Sequence, residues 1–298
     1  MIGEFIMIRN VLSLFDGISC ARVALDKQNI KYEKYYASEI DKYCMKISNE
    51  HFPDNINLGD ITKLDMEKLK EMDLDLIIGG SPCQGFSFIG NQLNFNHPKS
   101  KLFFDFASIV EECKPRYFLL ENVYMKQEYQ DIISDILGVK PILINSNLLS
   151  AQNRKRLYWT NIPNVKQPVD KGILIDTILQ DISQIDEKYR CKPHQQLHYP
   201  KCRITVQGTG LEVIDYYNES IKFGKSNTLT PHASRCDKSA TNIIKQEGIL
   251  RRLTPIECER LQNLPDGYTN SVSDTQRYKA LGNGFTVDVI AFILSCIP

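Results

Sequence analysis

The chain has 298 residues, 42% hydrophobic and 24% charged, with equal numbers of acidic and basic side chains. That composition fits a globular protein with a sizeable core. Zero net charge argues against a generic polyanion binder without excluding one, because a basic cleft can be balanced by acids elsewhere. No apolar run reaches the roughly 18 residues of a membrane span, and no basic-then-apolar leader marks a secretion signal.

Met1–Ile6 read as a leader, with the natural start expected near Met7. Val11–Phe15 reads as a buried strand, Ala21–Gln28 as the helix after it, and Tyr35–Glu39 as a second strand followed by a helix through Ile47. Leu74–Ile78 is a third strand, closed by Gly79 and Gly80. A helix over Phe103–Cys113 leads into a fourth strand, Tyr117–Glu121. Alternating strands and helices predict βαβ units and a parallel sheet covered on both faces. After Trp159 the periodicity weakens, and 163–248 reads as a smaller, irregular region. The expected division is therefore 7–162, 163–248 and 249–298. In the last part, Pro255–Leu264 reads as a helix capped by Thr254, and Asp288–Cys296 as a terminal helix.

Ligands of an open parallel sheet bind beyond the carboxyl ends of its strands, so the polar residues there are the candidates. Strand one ends in Phe15-Asp16-Gly17, where glycine lets the backbone approach a ligand. Glu39 ends strand two and Asp60 follows a short run at 56–59. Both acids could accept hydrogen bonds from ribose hydroxyls or an adenine amino group, or be ordinary acids of the sheet rim. The absence of Gly-x-Gly-x-x-Gly argues against a nicotinamide dinucleotide.

Strand three ends in Gly80-Ser81-Pro82-Cys83-Gln84. A cysteine in such a stiffened loop is placed as a nucleophile; the alternative is a small buried hydrophobe. Glu121 ends strand four and could donate a proton to a ring nitrogen. Gln152, Arg154 and Arg156 alternate, so in a strand they share a face that could hold a base carbonyl or a phosphate, or simply be the solvated charged face of an edge strand. The nine cysteines, without a secretion signal, read as reduced thiols. Cys191, His194, His198 and Cys202 match no zinc-finger spacing and read as loop residues rather than a metal site.

In order, these motifs resemble those of the cytosine-5 DNA methyltransferases. Pro82-Cys83 resembles the catalytic loop, Glu121-Asn122-Val123 the Glu-Asn-Val motif, and Gln152-x-Arg154-x-Arg156 the Gln-x-Arg-x-Arg motif. Arg251 to Gln262 is similar to the late supporting motif, and Gly282-Asn283-Gly284 to the final one. Ser19 stands where the family's first motif usually has its second glycine. Leu14–Ile18 looks closest to the branch containing the animal de novo enzymes and some phage and bacterial ones.

The resemblance implies a Rossmann-like S-adenosylmethionine-dependent sheet with a smaller target-recognition domain. It implies catalytic roles for Cys83, Glu121, Arg154 and Arg156. It implies a cofactor site of Phe15, Asp16, Gly17, Glu39, Ile40, Asp60, Ile61, Pro82, Leu102, Asn283 and Gly284. The substrate would be double-stranded DNA carrying a flipped-out cytosine, and 84–96 the loop closing over it. A monomer in the cytoplasm of a bacterial or phage-infected cell, at the nucleoid, is expected. A tRNA cytosine methyltransferase is the rival enzyme, but its Cys-Phe-Thr segment is missing. A non-catalytic regulator on the same scaffold would be expected to lose the nucleophile or the glutamate, and both are present.

Overall fold

The computed structural model describes residues 7–81, 98–204 and 211–298. They form two compact units. The first comprises residues up to Ile144, Lys155–Gln167 and Val289–Pro298; the second comprises Asn145–Arg154 and Pro168–Asp288.

The first unit runs β1 (Met7–Leu14), α1 (Cys20–Lys27), β2 (Lys31–Ser38), α2 (Lys42–His51), β3 (Ile56–Asn57), α3 (Met66–Glu71) and β4 (Leu74–Gly79). It continues through α4 (Pro98–Cys113), β5 (Tyr117–Val123), α5 (Gln127–Leu137), β6 (Ile142–Asn145) and β7 (Lys155–Thr160). The sheet order is β3-β2-β1-β4-β5-β7-β6. Strands β3 to β5 are parallel along this order, and β7 lies antiparallel to β5. The strand order reverses beside β1, so the ends of β1, β2, β4 and β5 face the crevice where such sheets bind ligands. β4 is buried at every residue, as a central strand covered on both faces requires. Its one acid, Asp75, is held by the backbone and guanidinium of Arg9. Leu12, Leu14, Ile77, Phe103, Phe106, Leu120 and Trp159 belong to one core cluster. Among the described residues no helix is long and apolar enough to cross a membrane.

The second unit contains α6 (Pro193–Gln196) and the strands β8 (Arg203–Ile204), β9 (Glu212–Asp215), β10 (Ser220–Phe223), β11 (Ile243–Gln246) and β12 (Ile249–Arg252). α7 (Pro255–Leu261), α8 (Asp274–Asn283) and α9 (Val287–Leu294) follow, α9 passing into the first unit at Val289. The strands make one sheet, β12-β11-β9-β10-β8. A region expected to be irregular thus has its own sheet, built of strands of two to four residues. Strands so short leave no readable alternation in sequence.

The division also runs differently from the expected boundaries at 162 and 248. Only Val289–Pro298 of the last part joins the first unit, and Asn145–Arg154 joins the second. Buried polar residues explain this. Gln152 Oε1 accepts from Leu229 N–H at 2.7 Å, and Ser150 Oγ donates to the Leu261 carbonyl at 2.6 Å. Arg251 and Glu257, both fully buried, pair at 2.6 and 2.8 Å. Glu257 also completes the capping box with Thr254 that starts α7.

Candidate active site

The turn from β1 to α1 is left-handed at three residues, Phe15 (φ 58°), Gly17 (φ 61°) and Ser19 (φ 57°). Among the described residues, an added Cβ at Gly17 would meet only the Phe15 carbonyl oxygen, at 3.9 Å. Glu39 lies one residue past β2. Its Oε2 accepts from Gly17 N–H at 2.8 Å, and its Oε1 from the amides of Ile40 and Asp41 at 2.7 Å each. Ile40 is 70% exposed beside this carboxylate. Asp60 caps the short helical turn Ile61–Lys63 through Thr62 N–H at 3.0 Å and Thr62 Oγ1 at 2.9 Å. Those bonds hold its carboxyl below the usual range, so it stays ionised. Ser38 Oγ donates to the Gly59 carbonyl at 2.7 Å and fixes this segment against the end of β2.

These residues fit S-adenosylmethionine. Gly17 leaves its backbone face uncovered by the described residues, Ile40 is an unburied apolar side chain, and two carboxylates stand at adjacent strand ends. A carboxylate has about four acceptor positions, so Glu39 retains capacity for a hydroxyl after its three backbone donors. Asp16 departs from the expected site: its side chain turns inward, 6% exposed, and accepts from Tyr35 Oη and Ser19 Oγ. Ile61 is buried, and half-buried Leu102 packs on the core. Pro82, Cys83 and the 84–96 loop lie outside the described residues.

Glu121 sits near the end of β5, opposite Tyr158 of β7. Arg156 lies two residues from Tyr158 on the same strand face, a diagonal neighbour within reach of long side chains. Its Nε is 2.8 Å from Glu121 Oε1, and both side chains are nearly buried. The next residue, Asn122, donates from Nδ2 to Ser81 Oγ at 3.1 Å. The chain therefore enters the 82–97 segment from a point fixed beside Glu121. Sequence reading missed Ser81 and Asn122 as partners; their places next to Pro82 and Glu121 were the available signal.

Arg154 precedes the strand, which begins only at Lys155. It is 3% exposed in the second unit and donates to the carbonyls of Leu229, Gly282 and Gly284 at 3.0–3.3 Å. Through these three carbonyls the guanidinium clamps the Leu229 and Gly282–Gly284 segments together. Gly284 thus contributes its carbonyl to this clamp, while Asn283 is exposed at the end of α8. A Cβ on Gly282 would stand 2.3 and 2.4 Å from the backbone of Thr230 and Pro231, so only glycine fits there.

Within the second unit, Lys201 and Arg203 border a cleft of about 510 Å³ together with Pro200, Asn218 and Glu219. Gln195 and Gln196 are engaged by the backbone of Lys192 and Cys191, and Asn227 by Thr241 and Lys222. Cys191 lies in the core beside Cys236, whose thiol it meets, whereas His194 is exposed. No three His, Cys, Asp or Glu side chains among the described residues gather to hold a metal.

The chain matches the family described as C-5 cytosine-specific DNA methylase over residues 9–298. It is 30% identical to the type II methyltransferase M1.ScrFI of Lactococcus lactis subsp. cremoris, across 94% of this chain and 75% of the relative. It is 29% identical to the type II methyltransferase M.HpaII of Haemophilus parainfluenzae, across 94% and 86%. Its fold is similar to the Entamoeba histolytica methyltransferase EhMeth, with a TM-score of 0.76 at 17% identity, covering 98% of each chain. It also resembles a Spodoptera frugiperda DNMT2 mutant, with a TM-score of 0.74 at 20% identity, covering 97% of this chain and 99% of that one. The chain belongs to the C-5 cytosine-specific DNA methylases and is an S-adenosylmethionine-dependent enzyme that methylates cytosine in DNA at carbon 5.

Proposed function

We propose that this enzyme acts on a cytosine flipped out of a specific duplex site, with Cys83 as nucleophile and Glu121 as proton donor. The supporting observation is the pair of contacts at the end of β5. Arg156 orients Glu121, and Asn122 fixes Ser81, two residues before Cys83.

Flipping costs a few kcal/mol of unpairing and unstacking. The Cys83 thiolate then adds to carbon 6 of the ring, and the Glu121 carboxyl gives a proton to nitrogen 3, so negative charge does not accumulate on the base. Arg156 keeps the carboxyl aimed while that proton moves. The adduct is an enamine, and its carbon 5 is nucleophilic. S-adenosylmethionine, when bound, supplies an electrophilic methyl group on a sulfonium. Once carbon 5 has gained the methyl, with the donor sulfur leaving as a neutral thioether, a base removes the carbon 5 proton, the carbon 6–sulfur bond breaks, Cys83 leaves as thiolate, and nitrogen 3 returns its proton to Glu121. Glu39, Ile40, Asp60 and the Phe15–Gly17 turn would hold the cofactor.

The segment Lys166–Lys245 would read the target sequence. Arg190, Lys192, Lys201 and Arg203 are its candidates for phosphates or guanines, and Gln195, Gln196, Gln207 and Asn227 for base edges; of these, Gln195, Gln196 and Asn227 are engaged by their own unit. Gln207 lies outside the described residues. The enzyme would work as a monomer in the cytoplasm of a bacterial or phage-infected cell.

A duplex with 5-fluorocytosine at the methylated position tests the mechanism, because fluorine on carbon 5 cannot depart as a proton does. With cofactor present, a covalent complex should form and its protein end map to Cys83. A complex mapping to another residue, or none despite turnover of ordinary DNA, would overturn this mechanism.

A further inference from the structure

Two of the three left-handed residues in the β1–α1 turn are not glycine, and an L-residue in that conformation is strained. Ser19 occupies such a position at the start of α1 without a side-chain capping bond. Its hydroxyl donates instead to Asp16 Oδ2 at 2.6 Å, while Tyr35 Oη donates to Asp16 Oδ1 at 2.7 Å. Ser19, Tyr35 and Asp16 are 0%, 2% and 6% exposed.

The network continues inward. Ser19 Oγ lies 2.6 Å from Ser48 Oγ, and Asn55 Nδ2 donates to both at 3.1 and 2.8 Å. Asn55 accepts from Arg22, whose other amino group pairs with Asp54 at 2.6 Å. Asn55 directly precedes β3, and the run from β3 leads to Asp60. One buried network thus braces the turn carrying Gly17 and the segment leading to Asp60. Burial pushes the Asp16 carboxyl up from its ordinary range, so it depends on these donors when ionised.

We propose that Tyr35 and Ser19 are positioning residues for S-adenosylmethionine, acting through Asp16 to hold the Phe15–Ser19 turn in its binding shape. This rests on the reading that the cofactor sits over Gly17. A ligand pays to organise a loop that is not preformed, so loss of either hydroxyl should appear in affinity rather than in chemistry.

The test uses the full-length protein carrying Tyr35→Phe or Ser19→Ala. Calorimetry should give a Kd for S-adenosylmethionine about five- to tenfold higher in each, the scale of one buried hydrogen bond. At saturating cofactor, kcat should stay within about twofold of wild type. Amide exchange of residues 15–19 should quicken in the cofactor-free protein while β4 and β5 keep their protection. Unchanged affinity, or exchange raised throughout the unit with kcat and affinity falling together, would overturn the proposal. A variant that unfolds outright also counts against it, because the pair would then be core rather than brace. Gly17→Val separates the underlying reading: if that variant folds and binds the cofactor normally, the cofactor does not sit over Gly17.

Discussion

Arg156 Nε stands 2.8 Å from Glu121 Oε1 across the β5–β7 pair, with both side chains nearly out of solvent. The antiparallel register places them diagonally on one face. A carboxylate held this way has a fixed direction, which proton donation to a ring nitrogen requires.

Arg156→Lys keeps the charge but loses the planar guanidinium. Turnover should fall about tenfold or more, with DNA affinity changed much less. Steady-state kinetics beside a binding titration checks this. A parallel loss of both would make Arg156 a DNA-contact residue.

Glu121→Gln preserves shape and hydrogen bonding but is a poor proton donor. We expect turnover to drop about a hundredfold to ten-thousandfold while the variant still binds duplex DNA. Turnover close to wild type would remove Glu121 from the chemistry.

The Arg251–Glu257 pair is fully buried, and removing one partner leaves the other charge uncompensated. Arg251→Met should destabilise the fold by about 3–5 kcal/mol, and Arg251→Met with Glu257→Leu by less than the single change. Chemical denaturation of both variants provides the comparison. A double variant as unstable as Arg251→Met, or more so, would deny the coupling.

Burial by itself would raise the Asp75 carboxyl, but hydrogen bonds from the Arg9 side chain and backbone outweigh it and hold the group below its ordinary 3.8. The folded value is thus depressed, so the stabilisation is present above the unfolded value and is lost as pH falls through the folded one. Asp75→Asn should be less stable than wild type at neutral pH, and the two should converge in acid. A stability gap independent of pH would contradict this.

The centre of the first unit was legible because its inner parallel strands are runs of apolar residues ended by glycine or an acid, as at Leu74–Gly80 and Tyr117–Glu121. The same rule singled out Glu39 and Asp60 as candidates. Arg154 was misplaced because period-two alternation was extended beyond the strand, which starts one residue later. Asp16 looked like a ligand because of its place at the end of β1; only the fold reveals Tyr35 beneath it, nineteen residues away in sequence. The second sheet was hidden by the shortness of its strands. Its buried ion pair was read only as a motif, since neither Arg251 nor Glu257 announces burial in sequence.

Tritium from labelled S-adenosylmethionine follows the methyl group to DNA cytosine and shows whether its transfer depends on Cys83. Wild type and Cys83→Ser are each incubated with unmethylated duplex DNA and with tRNA, and the nucleosides are then separated. Wild type should place label in 5-methyldeoxycytidine of duplex DNA, whereas Cys83→Ser should place none above background while binding the cofactor normally. Label chiefly in tRNA, or Cys83→Ser turnover within about tenfold of wild type, would contradict Cys83-dependent methylation of DNA.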